Sequence, residues 1–142
     1  MSFLRHRETR RAQRHADRLT PVPSDQVSGV MSLCALDPVS AVSLVQQMQR
    51  WSRWGRGDVV ALGGLARPVA AAWSVGSLMP FGLAGRPEHG LRAADAGEIW
   101  ALAEHARPRL SRRGSVSGPA RDVAAIWGGL SEQGARARHE RW

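Results

Sequence analysis

A chain of 142 residues, 43% apolar and 23% charged, reads as one folded domain with a core of ordinary size. No apolar run approaches the length that spans a bilayer, and the lone cysteine, Cys34, excludes an internal disulfide and a cysteine-rich zinc site. These features exclude a membrane partner and place the protein in the cytoplasm.

All 20 basic residues are Arg, and Lys, Asn and Tyr are absent, a pattern that GC-rich codon usage explains as readily as guanidinium chemistry. The lack of Tyr also removes phenol from the candidate catalytic acids. Half of the formal net charge of +8 falls in residues 1–18, where six Arg face Glu8 and Asp17. That segment reads as a basic, disordered tail, with residues 19–142 as the folded domain. Arg10-Arg11 is not an export signal, because no apolar segment follows it.

In chain order, "RLTPVP" reads as a short strand closed by prolines. Ser24 then caps a helix whose Val27, Val30, Met31 and Cys34 share one face, which makes Cys34 a small core hydrophobe and not a nucleophile. "LDPVSAVSLVQQMQRW" opens a second helix with Asp37 as cap and Pro38 in the first turn, and carries the stripe Ala41, Leu44, Val45, Met48. "DVVALGGLARPVAAAWSVGSLMPF" breaks into short apolar runs at Gly63-Gly64, Arg67-Pro68 and Gly76, the pattern of a three-strand meander.

A third helix over 93–107 is expected to bury Ala96, Ile99, Trp100, Ala103 and Ala106 and to present Glu98 and His105 to the other side, with Pro108 ending it. "RGSVSG" reads as one more strand. Pro119 opens a last helix with Val123, Ile126, Trp127 and Leu130 in register, and "GARARHERW" trails off extended and basic. The order β-α-α-β-β-β-α-β-α predicts an α/β (α+β) layered domain.

"LDPVSAVSLV", "PVAAAWSVGSLMPFG", "IWALAEHA" and "GSVSGPARDVAAIWGGL", in this order, resemble the N-terminal domain of actinobacterial GNAT-family N-acetyltransferases, which precedes a catalytic GNAT domain. The resemblance covers residues 19–138, and its most specific pieces are Asp37-Pro38-Val39, "SLMPFG", Gly118-Pro119 and Trp127. It implies a GNAT-like layered domain with a central, mostly antiparallel sheet and helices on both faces. It also implies a degenerate domain of an acetyl-CoA-dependent N-acetyltransferase, non-catalytic alone, that serves packing or substrate selection beside a catalytic domain which this chain lacks. A homo-oligomer stays open.

In that family acetyl-CoA is held after the fourth strand by a turn with Gln or Arg, a Gly three residues on, and Gly or Ala two further. Here Arg86 is followed by Gly90, four residues on, Arg92 stands where the small residue belongs, and Pro87 removes a donor. Arg86, Gly90 and Arg92 are therefore the candidate pyrophosphate turn, acetyl-CoA is implied only through the resemblance, and no catalytic residue is assigned. Two other readings compete: a minimal acetyltransferase in its own right, and a small nucleic-acid-binding protein using the tail and "RWSRWGRG", where Trp51 and Trp54 interleave with Arg50, Arg53 and Arg56. Nucleic acid is the disfavoured partner.

The remaining constellations are structural. "RRGSVSGPA" fails as a nucleophile elbow because Val116 sits between Gly114 and Gly118, so Ser117 and Gly118 read as a helix cap. The five His show no metal-ligand spacing. Trp73, Trp100 and Trp127 read as core.

Overall fold

A computed structural model describes residues 18–132, which form β1 (Leu19–Pro21), α1 (Ser28–Ala35), α2 (Val42–Trp51), β2 (Val59–Leu62), β3 (Ala70–Val75), β4 (Ser77–Phe81), α3 (Ala96–Ala106) and α4 (Ala120–Glu132). Residues 1–17 of the expected tail, His6, His15, His139, Trp142 and the expected basic end over 134–142 lie outside the described residues.

The four strands pair antiparallel in chain order. Alternation along each strand sends side chains to opposite faces, and both faces are apolar, so the sheet must be covered twice. Val59, Ala61, Ala71, Trp73 and Phe81 pack with Val30, Leu33, Cys34, Leu44 and Met48 of α1 and α2. Val60, Leu62, Ala70, Ala72 and Leu78 pack on the other side with Leu102, Ala103 and Ala106 of α3 and Ile126 and Leu130 of α4. The result is a mixed α and β domain, three layers deep, with an antiparallel sheet in the middle. Alanine is a weak strand former, yet Ala70, Ala71 and Ala72 are all buried in β3. Burial on both faces overrides the local preference, and the small side chains let helices approach closely.

The chain reverses between β3 and β4 at Gly76, whose φ of +73° is in the left-handed region that glycine adopts without strain. The strand expected at "RGSVSG" shrinks to one isolated parallel bridge to β4, Leu78 to Val116, and a second bridge, Gly76 to Leu110, lies ahead of that stretch. Leu78 N donates to Ser115 O and Ser117 N donates to Leu78 O, both at 2.9 Å. The next outward donor on β4 would come from Pro80, which has none, and Gly118 lies against the Pro80 carbonyl where any Cβ would crowd it.

Other local expectations shift. α1 starts at Ser28 and not after Ser24, because Val22 N still donates to Val59 O and Gln26 N turns back to Pro23 O. Asp37 does hold the chain entering α2, accepting Ser40 N at 3.3 Å, although regular helix begins only at Val42. The buried face of α3 is rotated from the expected one: Glu98, Ala101, Leu102, Ala103 and Ala106 are buried, while Ile99 and Trp100 are half-buried. Of the tryptophans expected in the core, Trp73 is buried and Trp127 is half-buried. Among the described residues no helix is long and apolar enough to cross a membrane.

Candidate functional site

The turn between β4 and α3 starts at Gly82, with φ +88°, and bends again at Gly85, with φ +78°. A Cβ on Gly82 would press on the Val69 carbonyl oxygen, so this position tolerates nothing larger. Paired bonds between Arg86 and Leu91 close a small loop, and within it a short 3-10 turn, Pro87–His89, ends on Gly90 at φ +68°. Ala94 N donating to Leu83 O at 2.9 Å fastens the far end.

Successive backbone N–H groups converging from such a turn form a nest for an anion. The anion here is internal. Asp122, fully buried on the first turn of α4, accepts Gly82 N through Oδ2 at 3.0 Å and Ala84 N through Oδ1 at 2.7 Å. A buried carboxylate is costly unless hydrogen-bonded, and these two N–H groups meet that need while Asp122 satisfies two donors the turn would otherwise leave unmatched.

The N-terminus of α3 is also occupied by carboxylates. Asp95 and Glu98 form a reciprocal capping box: Glu98 N donates to Asp95 Oδ1 at 2.8 Å, and Asp95 N donates to Glu98 Oε1 at 3.0 Å. Arg92 adds a bidentate pair to Glu98, at 2.6 and 3.0 Å, and Arg18 donates to Asp95 at 2.8 Å. The Arg92 bond holds the Glu98 carboxyl below its ordinary range, and Glu98 raises the Arg92 guanidinium in return. Asp95 is lowered chiefly by the Glu98 backbone N–H.

Arg86, the first residue of the candidate pyrophosphate turn, has a side chain only 12% exposed. Its guanidinium lies 3.3 Å from Asp37 Oδ2 and 5.4 Å from the centre of the Phe81 ring, and one nitrogen donates to Gly85 O at 3.3 Å. Asp37 is held below the usual carboxylate range, first by hydrogen bonds from Ser40 and then by Arg86. Arg86, Gly90 and Arg92 thus share one loop, but the two guanidiniums each face a carboxylate of the protein. An incoming pyrophosphate would have to displace Asp37 or Glu98 and approach two further acids, Asp95 and Asp122.

Glu98 sets a pH dependence. Its folded-state pKa is depressed, so its contribution to stability is present above the unfolded value and fades as pH falls through the folded one. We expect Glu98→Gln to cost about 1–3 kcal/mol at neutral pH, since the charge-assisted bidentate pair with Arg92 is lost while the amide oxygen can still accept Asp95 N. In urea titrations stepped from pH 7 downward, the gap between wild type and variant should narrow once the pH falls below the ordinary glutamate range. A gap that stays constant would assign the loss to shape and not to charge.

Elsewhere the candidates are structural. Cys34 is 1% exposed and burial pushes its thiol up to about 11, the opposite of an activated nucleophile. Ser117 Oγ meets Ser115 Oγ at 3.2 Å. His105 Nε2 shares a 2.6 Å hydrogen bond with Gly57 O. Among the described residues no group of His, Cys, Asp or Glu could hold a metal ion. The apolar gap lined by Leu62, Ala72, Leu83 and Leu102 has no room for a water molecule.

Sequence reasoning missed Asp122. The signal was present: positions 122, 123, 126 and 130 form one stripe, and an acid on an otherwise apolar stripe demands a buried partner. No family model matches the chain, and comparison with curated proteins and with solved structures gives no match.

Proposed function

We propose that the chain is a GNAT-like domain that does not transfer acetyl groups alone and serves an acetyl-CoA-dependent N-acetyltransferase by packing against, or selecting substrate for, a catalytic domain. The chain order of two helices between β1 and β2, a three-strand meander, and a helix followed by a segment running parallel to β4 supports the GNAT-like part of this reading. The observation that carries the non-catalytic part is Asp122. Its carboxylate takes the Gly82 and Ala84 N–H groups leading into the candidate turn, and within that turn the N–H groups of Arg86, His89, Gly90 and Leu91 are spent on carbonyls of the same loop. Phosphate recognition at such a turn relies on unengaged backbone donors, and here Asp95 and Glu98 further cancel the positive end of α3.

Titration of the folded 142-residue chain with acetyl-CoA and with CoA, followed by calorimetry, tests the proposal. No saturable heat is expected at millimolar ligand. Saturable binding that disappears in Arg86→Ala/Arg92→Ala would instead establish a working cofactor turn and the minimal-acetyltransferase reading.

A further inference from the structure

The charge of the described chain is divided by position. Residues 50–58 and 104–114 carry seven Arg against Asp58 and Glu104, whereas the rest of residues 18–132 carries five Arg against seven carboxylates. These two segments are far apart in sequence and are stitched together at one end of the sheet. Ser74 N donates to Asp58 O, and Ser74 Oγ donates to Gly57 O. His105 reaches Gly57 O, Arg109 pairs with Asp58, and Gly76 exchanges backbone bonds with Arg109 and Ser111.

Arg50, Arg53, Arg56, Arg107, Arg112 and Arg113 are exposed, and among the described residues none of them has a carboxylate partner. The same end holds an aromatic ring open to solvent. Ser52, at φ +48°, ends α2 and separates two tryptophans with different fates. Trp54 turns inward, edge-on to Trp73 at 6.0 Å and donating to Val22 O at 2.7 Å. Trp51 stays 54% exposed with the Arg50 guanidinium 5.9 Å from its ring centre.

We infer that this end of the sheet is a binding surface for single-stranded nucleic acid, with the unpaired arginines meeting phosphates and Trp51 offering a face for a base. Unpaired guanidiniums attract any polyanion, but an exposed indole among them adds a term that only a partner with flat, unstacked rings can use. A duplex keeps its bases stacked and a polyglutamate has none. The surface lies at the opposite end of β4 from the Asp122 turn, so the inference does not depend on the GNAT-like reading.

The test is fluorescence anisotropy with fluorescein-labelled dT20, U20 and a 20-base-pair duplex, using the full chain. The variants are Arg53→Gln/Arg56→Gln/Arg112→Gln/Arg113→Gln and Trp51→Ala, both keeping residues 1–18. All substituted positions are exposed, and circular dichroism checks the fold. Single strands should bind more tightly than duplex, with affinity falling steeply in salt by about 0.7 log units per log unit for each phosphate contacted. The fourfold variant should lose at least about tenfold in affinity and show a shallower salt slope. Trp51→Ala should lose about tenfold with its slope unchanged. Wild-type affinity in the fourfold variant would overturn the inference and move binding to residues 1–18. Equal binding of duplex or polyglutamate with no effect of Trp51→Ala would overturn it in favour of an unspecific polyanion surface, and no binding in low salt would overturn it outright.

Discussion

Asp122→Ala is expected to destabilise the domain by about 2–4 kcal/mol, because two backbone donors in a dehydrated turn lose their acceptor and each unmatched donor costs about 1–3 kcal/mol. Against a total stability of about 5–15 kcal/mol this is a large fraction. The bonds from Gly82 and Ala84 are the direct ties between the turn after β4 and the first turn of α4, and Asp122 lies 38 and 40 residues from them in sequence. Losing them releases both segments. Asp122→Asn keeps one acceptor but turns an amide N–H toward the second donor, so it should recover only part of the loss. Urea unfolding at neutral pH measures both, and a loss below about 1 kcal/mol for Ala would mean that water replaces the carboxylate at little cost.

Gly29→Ala is expected to be at least as damaging, although alanine is the better helix former by about 1 kcal/mol. Gly29 is buried in α1, and a Cβ there would overlap the Leu65 carbonyl oxygen in the connection between β2 and β3. Backbone cannot rotate away as a side chain can, so α1 would have to lift off the sheet and open the core around Val30, Leu33 and Cys34. We expect a loss of about 3 kcal/mol or more, or failure to fold. Gly128→Ala in α4 is the matched control, since a Cβ there meets nothing within 4 Å, and it should stabilise by about 0.5–1 kcal/mol. Thermal melts of the pair should therefore move in opposite directions.

What the sequence discloses about this fold is what local rules govern. The meander follows from apolar runs separated by Gly63-Gly64 and Gly76, and α2 and α4 follow from helical spacing, because each signal is confined to a few neighbouring residues. Local spacing assigns no helix to a face of the sheet, and helices on both faces were expected only through the family resemblance. The strand expected at "RGSVSG" stops short beside β4 for a tertiary reason, the contact of Gly118 with Pro80, that no local rule contains. Glu98 shows two local rules in conflict: helical spacing places it outside, whereas Asp95 three residues earlier marks a capping box that draws it in.

The candidate turn was legible in place but not in state. Its glycines and arginines stand out in "FGLAGRPEHGLRA". What occupies its donors does not, because Asp37 reaches Arg86 from the connection between α1 and α2 and Asp122 reaches the turn from α4, both distant along the chain. No spacing rule links them. The same holds for the basic end, where residues 50–58 and 104–114 meet only through tertiary contacts.

The prolines of the two outermost strands bear on self-association. Val22 N points toward β2, so one residue earlier the nitrogen of Pro21 faces away from the sheet. On the other side Leu78 directs its N–H and C=O away from β3, and Pro80, two residues on, presents its ring nitrogen to that same margin. Each margin therefore lacks a donor where a foreign strand would look for one, and β1 is only three residues long. Such a sheet is a poor template for edge-to-edge growth or amyloid-type stacking. Two copies of the domain would meet through side-chain surfaces, and the central sheet would stay discontinuous between them.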